Sequence, residues 1–145
     1  MKENFIELKN VKKTYIVGEQ KFNALDGVDL SISQGEFVVI LGPSGAGKST
    51  LLNILGGMDK VTSGSVKIGE NDIAKYSDKE LTRYRANEVG FIFQFYNIMP
   101  TLTVDENVNL IKDVTNTSRD SKEILKSVGL LKHADKFPQE LSGGE

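Results

Sequence analysis

Alternating apolar and polar positions in the first part of the chain predict a layer of strands. Residues Phe5–Lys9 alternate with a period of two, as a half-buried strand does. A turn at Gly18–Gln20 follows, and the segments Lys21–Leu25 and Val28–Ser33 are again strand-like. Together these segments predict an antiparallel β-layer.

The apolar segments that follow have a different pattern. Glu36–Leu41 and Val89–Phe93 are short continuous apolar runs, which are typical of strands buried in a parallel sheet. Between them, Ser49–Leu55 has the spacing of an amphipathic helix, and Ser65–Ile68 is a further short strand. The order predicts that the β-layer leads into a parallel α/β core whose last strand ends at Gln94.

Two segments carry the local signature of a helix start. Ser77–Glu80 and Thr103–Glu106 both have capping-box spacing, and the first should begin a helix that runs to about Ala86. The acidic residues Asp105 and Glu106 then have a structural role, because first-turn carboxylates are favoured by the helix dipole.

The end of the chain is predicted to be mainly helical. The spacing predicts a helix over Ser118–Val128 with Gly129 as its C-cap, preceded by the loop-like stretch Asn116–Ser118. A short helical turn over Leu130–Lys136 follows and is broken at Pro138.

The residues between the Glu36–Leu41 run and the next helix suggest chemistry. Gly42–Ser49 reads Gly-Pro-Ser-Gly-Ala-Gly-Lys-Ser, the pattern of a phosphate-binding P-loop. The glycines let successive N–H groups point into one concavity, and the helix adds free N–H groups and its positive dipole end. Lys48 can then reach the β- and γ-phosphates of a nucleoside triphosphate, the Ser49 hydroxyl can bind Mg²⁺, and Thr50 can contact the α-phosphate. The alternative is a glycine-rich turn beside a lysine, but the strand–loop–helix context favours phosphate binding.

Composition excludes several classes of function. The chain has 145 residues, a net charge of −2 and no cysteine, so it has no thiolate metal site, no disulfide and no basic excess for a nucleic-acid surface. We find no signal-peptide apolar region and no apolar run of membrane-spanning length. A role at a membrane is therefore expected to depend on a partner.

Three further features are ambiguous when each is taken alone. Tyr15 lies in the predicted β-layer and can stack on a nucleobase, although a strand tyrosine more often only packs. Gln94 follows an apolar strand, where α/β sheets bind ligands, but it can equally be a polar strand end. Leu141-Ser-Gly-Gly-Glu145 by itself is an ordinary flexible turn.

The P-loop, Gln94 and Leu141-Ser-Gly-Gly in this order closely resemble the nucleotide-binding domain of ABC transporters. The stretches Gly42–Asp59 and Val89–Val108 are most similar to the lipoprotein-release and macrolide-export subfamily. The resemblance implies an α/β P-loop NTPase fold, with a RecA-like core, an N-terminal antiparallel β-layer and the start of a helical subdomain. It implies one partial domain, with residues 1–94 as β-layer and core and residues 95–145 as Q-loop and helical subdomain.

The resemblance also implies roles for individual residues. Tyr15 matches the aromatic residue that stacks on adenine. Lys48 and Gln94 match catalytic positions, and Ser49 and Gln94 match ligands of Mg²⁺. The other residues matched to ATP contacts are Gly42, Pro43, Ser44, Gly45, Ala46, Gly47 and Thr50, together with Ser142, Gly143 and Gly144 of the signature motif.

At the level of the assembly, the resemblance implies an ATPase that powers export or extraction. Two copies would sandwich two ATP molecules head to tail, with each signature motif on the γ-phosphate bound by the other subunit. The segment from about Pro100 to Glu140 would dock on an integral-membrane permease. The protein would therefore lie in the cytoplasm, on the inner face of the plasma membrane. Neither a nucleic-acid partner nor a particular transported substrate is implied.

The chain departs from the family pattern at its end. It stops at Glu145, inside the signature motif, whereas the family continues with the Walker B strand, its catalytic glutamate and the switch histidine. We therefore expect an incomplete domain with negligible hydrolysis, since orientation of the attacking water needs those groups. The Phe37–Leu41 strand is expected to present an unpaired apolar edge that promotes self-association. His133, the only histidine, matches no family site and is expected to lie on the surface.

Three other interpretations are weaker. A soluble ABC-type ATPase that remodels DNA or ribosomes would usually carry long insertions or a second ATPase domain, and the chain has no basic stretch. A non-catalytic ATP-binding fragment would have to be stable as a monomer. A GTPase or a small-molecule kinase shares only the P-loop, and the placement of Gln94 and Leu141-Ser-Gly-Gly argues against it.

Overall fold

A computed structural model describes residues 4–95, 97–110 and 119–145. The chain forms two compact units, Met1–Val89 and Gly90–Glu145. The first contains all the strands assigned in the described residues, and the second contains short helices and turns. The loop-like stretch predicted at Asn116–Ser118, and the predicted helix start at Ser118, lie outside the described residues.

The first unit is built on a four-stranded antiparallel sheet. Its strand order is β2-β1-β3-β4, and the strands are β1 (Asn4–Val17), β2 (Gln20–Ser33), β3 (Ser63–Ile68) and β4 (Asn71–Asp72). The predicted antiparallel β-layer is therefore confirmed. The two strands predicted at 21–25 and 28–33 are one strand, because irregularities in the β1–β2 register let the pairing continue between them.

Two helices pack with this sheet. Helix α1 spans Lys48–Leu55 and buries Leu51 and Ile54, which join Leu8, Val11 and Val66 in the core of the first unit. Helix α2 spans Asp78–Glu88 and begins with the predicted capping box, in which Ser77 and Glu80 satisfy each other's backbone N–H groups. Both predicted helices are confirmed, and the core carries the P-loop helix against the sheet.

The prediction that Glu36–Leu41 and Val89–Phe93 are buried parallel strands is wrong. Neither segment pairs with a strand among the described residues, and the Phe37 and Ile92 side chains are 91% and 96% exposed. A parallel strand needs neighbours that share its hydrogen bonds. The sheet in the described residues is wholly antiparallel and does not include either segment.

The second unit has helices α3 (Val104–Asn109) and α4 (Ser121–Ser127) around a small core of Val104, Leu125 and Ala134. Helix α3 begins with the predicted capping box, in which Thr103 and Glu106 satisfy each other's backbone N–H groups. Asp105 has more than the predicted first-turn role, because it accepts the hydroxyl of buried Ser121 at 2.6 Å.

Local signals predicted the end of this unit well. Gly129 follows α4 with a left-handed φ of 78° and donates its N–H to Lys126, as a residue that ends a helix does. A single 3₁₀ turn at Leu131–His133 occupies the predicted helical turn, and Pro138 begins another at Pro138–Glu140.

The prediction that His133 lies on the surface is wrong. Its side chain is buried, and the residue is only 8% exposed because the turn that carries it packs beside the small core of the second unit. Nε2 lies 2.8 Å from Oε1 of Glu145, a contact that becomes an ion pair when the imidazole is protonated. The angle of this contact is not that of a hydrogen bond. Neither ring nitrogen of His133 has a hydrogen-bond partner among the described residues.

Among the described residues, we find no helix with both the length and the apolar character needed to cross a membrane.

Candidate nucleotide site

The P-loop connects the largely exposed 36–41 segment, of which Ile40 packs against the core of the first unit, to helix α1. Gly45 and Gly47 both have left-handed φ angles, 80° and 82°. Gly47 is the N-cap of α1, and a Cβ there would clash with the carbonyl oxygen of Ala24. Only glycine fits at position 47, because the loop must turn into the helix directly against the backbone of β2.

The N-terminus of α1 has no cap among the described side chains: none of them accepts a hydrogen bond at this end. No acidic residue lies in the first turn of the helix. By contrast, α2 and α3 each have a capping box and acidic residues in the first turn. The N–H groups and the positive dipole end of α1 are therefore available to an anion.

Lys48 lies folded onto its own loop. Its Nζ donates to the carbonyl oxygens of Gly42 at 2.8 Å and Pro43 at 2.6 Å. An ammonium group has three hydrogens to donate, so one remains for another acceptor. These contacts hold the positive charge over the loop, and a bound phosphate would compete for them.

Tyr15 lines the same groove as the P-loop. The groove, about 260 Å³ in volume, is bounded by Tyr15, Phe22 and Ala24 from the hairpin and by Ser44–Thr50 from the loop and helix. Tyr15 and Phe22 are partners across β1 and β2, so the hairpin presents two aromatic side chains here. The structure thus brings together Tyr15 and the P-loop, which lie far apart in sequence.

Tyr15 is held by two charged residues, Asp59 and Lys13, to which the sequence assigned no role. Its hydroxyl donates to Oδ2 of Asp59 at 2.6 Å, and Nζ of Lys13 lies 4.8 Å from its ring centroid. Lys13 also donates to Oδ1 of Asp59 at 2.5 Å. The only sequence signal was that Lys13 and Tyr15, two residues apart on a strand, share one face of the sheet.

These contacts shift two ionisation equilibria. The hydrogen bond to Asp59 raises the pKa of Tyr15, burial raises it further, and the Thr50 hydroxyl partly offsets both. Burial opposes ionisation of Asp59, but the hydrogen bonds from Lys13 and Tyr15 outweigh it and lower the pKa of this carboxyl. The Asp59 carboxyl therefore stays ionised near neutral pH.

A larger cavity of the first unit, about 600 Å³, has no P-loop residue in its lining. Several of its side chains already serve the fold: Glu80 caps α2, and the Tyr84 hydroxyl donates to the carbonyl oxygen of Leu55. We therefore place the candidate nucleotide site at the smaller groove, where an uncapped helix end and a lysine meet.

The other predicted site residues belong to the second unit. Gln94 is exposed in an irregular segment. Ser142, Gly143 and Gly144 are exposed in a turn closed by the N–H of Glu145, which donates to the Ser142 carbonyl oxygen at 3.0 Å. The Glu145 carboxylate in turn accepts the Ser142 hydroxyl at 2.8 Å.

The described residues do not contain a cluster of potential metal ligands. No group of three or more His, Cys, Asp or Glu side chains is clustered there as a metal site would need. The exposed Ser49 hydroxyl, on the first turn of α1, remains the candidate ligand beside the loop. One hydroxyl suits Mg²⁺ only when phosphates and water supply the other oxygens, as they do in many nucleotide sites.

The fold and the loop define a P-loop protein of the α/β class. The family model described as ABC transporter matches residues 25–145, and the chain belongs to this family. It is 40% identical to the bacitracin export ATP-binding protein BceA of Halalkalibacterium halodurans, over 97% of this chain and 57% of that protein. It is 41% identical to the uncharacterized ABC transporter ATP-binding protein YknY of Bacillus subtilis, over 97% of this chain and 63% of that protein.

Solved structures give the same result. The ATP-binding cassette MJ0796, in a dimeric post-hydrolysis state bound to ADP and Pi, matches with a TM-score of 0.84 and 43% identity. The match covers 96% of this chain and 64% of that one. The predicted family and fold class are therefore confirmed, and the chain spans somewhat less than two thirds of each of these relatives.

Proposed function

We propose that this chain is part of the ATP-binding subunit of an ABC transporter and that its P-loop binds the phosphates of Mg·ATP. The observation that carries the proposal is the uncapped N-terminus of α1 beside Lys48. A helix end with free N–H groups, no acidic residue and a lysine favours a multiply charged anion. Family membership makes a nucleoside triphosphate the natural anion.

Different residues would contact the phosphates, the Mg²⁺ ion and the adenine ring. Backbone N–H groups of Gly45–Thr50 hold the phosphates, and Lys48 exchanges its contacts with Gly42 and Pro43 for the β- and γ-phosphate oxygens. The Ser49 hydroxyl and Gln94 are the proposed ligands of Mg²⁺, which neutralises phosphate charge when bound. Tyr15 stacks on the adenine ring from the hairpin side of the groove.

Hydrolysis would belong to the whole protein and not to residues 1–145 alone. Phosphoryl transfer depends on positioning and electrostatic stabilisation, including a group that orients the attacking water. Lys48 and Gln94 are the proposed catalytic residues within this chain. A chain that binds ATP without hydrolysing it is the second candidate function.

The proposed assembly contains two copies of the subunit and a membrane permease. The dimeric form of the MJ0796 cassette supports a pair of subunits. In the proposed arrangement the two copies lie head to tail, and Ser142, Gly143 and Gly144 would contact the γ-phosphate bound by the other copy. The name of the BceA relative supports transport out of the cell. The subunit would then work in the cytoplasm, on the inner face of the plasma membrane.

The proposal is tested by binding of Mg·ATP to Lys48→Ala, measured by isothermal titration calorimetry. We expect the dissociation constant to rise about ten- to a hundredfold, since a hydrogen bond to a charged group contributes about 1.5–3 kcal/mol. Lys79→Ala is the matched control, because Lys79 is an exposed lysine of α2 outside the groove. Equal affinities of the wild type and Lys48→Ala would refute the phosphate site.

A further inference from the structure

The Tyr15 side chain is held by two residues, Lys13 and Asp59. We call these three residues together the Tyr15 anchor. Asp59 accepts the Tyr15 hydroxyl through Oδ2 and the Lys13 ammonium through Oδ1, at 2.6 and 2.5 Å. Both carboxylate oxygens are thereby occupied. The Lys13 and Asp59 side chains are only 13% and 27% exposed, so water competes weakly for these contacts.

The anchor is tied to the backbone on both sides. Lys13 donates a further hydrogen bond to the carbonyl oxygen of Lys60 at 2.7 Å. Close by, the Thr62 N–H donates to the carbonyl oxygen of Lys12, and the Thr14 N–H donates to the Thr62 hydroxyl. The segment that carries Asp59 is therefore fastened to β1 on either side of Lys13.

The same segment is fastened to the P-loop helix. The N–H groups of Met58 and Asp59 both donate to the carbonyl oxygen of Asn53, in the last turn of α1. Asp59 thus links the end of the helix that starts at the P-loop to the tyrosine that faces the P-loop across the groove.

We propose that Asp59 is a positioning residue for the nucleobase, which fixes the Tyr15 ring as one wall of the groove beside the P-loop. The inference rests on the proposed nucleotide function. The Tyr15 hydroxyl is committed to Asp59, so the ring surface is what the tyrosine offers to a base. Lys13 lies over the ring and restricts its rotation. An ordered stacking surface binds a base more tightly than a free side chain, because its rotamer entropy is already lost.

The test separates base binding from phosphate binding. Dissociation constants of Mg·ATP and Mg·tripolyphosphate, which has the phosphates and no base, are measured by calorimetry for the wild type and Asp59→Ala. We expect Asp59→Ala to weaken ATP binding about fivefold or more and to leave tripolyphosphate binding within about twofold. Asp26→Asn is the matched control, since Asp26 also pairs with a lysine of β1, Lys12 at 3.0 Å, and does not line the groove.

A double-substitution cycle shows whether Asp59 acts through Tyr15. In a Tyr15→Ala background, Asp59→Ala should not weaken ATP binding further, because the side chain that it positions is absent. If Asp59→Ala does not fold, two milder variants carry the test: Asp59→Asn, which keeps one acceptor oxygen, and Tyr15→Phe, which removes the donated hydrogen. Each should weaken ATP binding about twofold to threefold and spare tripolyphosphate.

The outcomes distinguish this inference from the proposed function. Equal weakening of ATP and tripolyphosphate, or a full effect of Asp59→Ala in the Tyr15→Ala background, would overturn the inference alone. If the wild type binds neither ligand, the proposed function fails and the inference fails with it.

Discussion

Gly47 shows how strongly a single position of the P-loop is constrained. Its left-handed φ and its contact with the Ala24 carbonyl oxygen both exclude a side chain. Gly45 has nearly the same φ, 80°, but apart from its two chain neighbours no described residue has an atom within 4 Å of the position of a Cβ there. The two glycines therefore separate the cost of the backbone conformation from the cost of a steric clash.

Alanine substitution at each glycine should give graded losses. For Gly45→Ala we expect a fall of about 1–2 kcal/mol in the free energy of unfolding, from the left-handed backbone alone. Gly47→Ala should lower the free energy of unfolding by about 1–3 kcal/mol more than Gly45→Ala, because the added methyl group meets rigid backbone. Urea unfolding followed by circular dichroism measures both, and equal losses would show that the contact with Ala24 does not constrain the loop.

Elements whose signals are local were predictable from the sequence. The capping boxes at Ser77 and Thr103 predicted the starts of α2 and α3, because every group involved lies within four residues. The prediction of a strand at 36–41 was wrong because a strand depends on distant partners, which the composition of the segment does not reveal. The Asp59–Tyr15 hydrogen bond spans 44 positions, so no local pattern pointed to it.

Asp59 lies in the connection between α1 and β3, and through its carboxyl the free energy of unfolding should depend on pH. Its folded-state pKa is lowered, so its stabilising contribution is complete above the unfolded value of about 3.9 and is lost as pH falls through the folded value. At pH 7, Asp59→Asn should lower the free energy of unfolding by about 1 kcal/mol. That difference should vanish in acid, below the folded pKa of Asp59.

The measurement is urea unfolding of the wild type and Asp59→Asn at a series of pH values from 7 downwards. Asp26→Asn is again the control, because its lysine pair is exposed and should contribute little at any pH. A stability difference for Asp59→Asn that stays constant into acid would mean that the Asp59 charge does not stabilise the fold.

In the whole molecule, apolar surface and unpaired backbone coincide at residues 37–41. Phe37 and Leu41 are 91% and 86% exposed, and among the described residues no backbone hydrogen bond involves this segment. The composition of the segment indicated a buried strand, whereas no strand of the described sheet pairs with it.

We expect the 145-residue chain to self-associate through this surface, because it is apolar and its N–H and C=O groups, unpaired among the described residues, can pair with another copy. Sedimentation velocity at rising concentration should detect the association, and Phe37→Ser/Leu41→Ser should reduce it. Ile16→Ser/Val17→Ser is the matched control: these residues are also exposed, at 68% and 75%, but their backbone is paired with Lys21 and Gln20. If both double variants reduced association equally, exposed apolar area alone would explain it. If the chain stayed monomeric at all concentrations, the 37–41 segment would not be a surface for self-association.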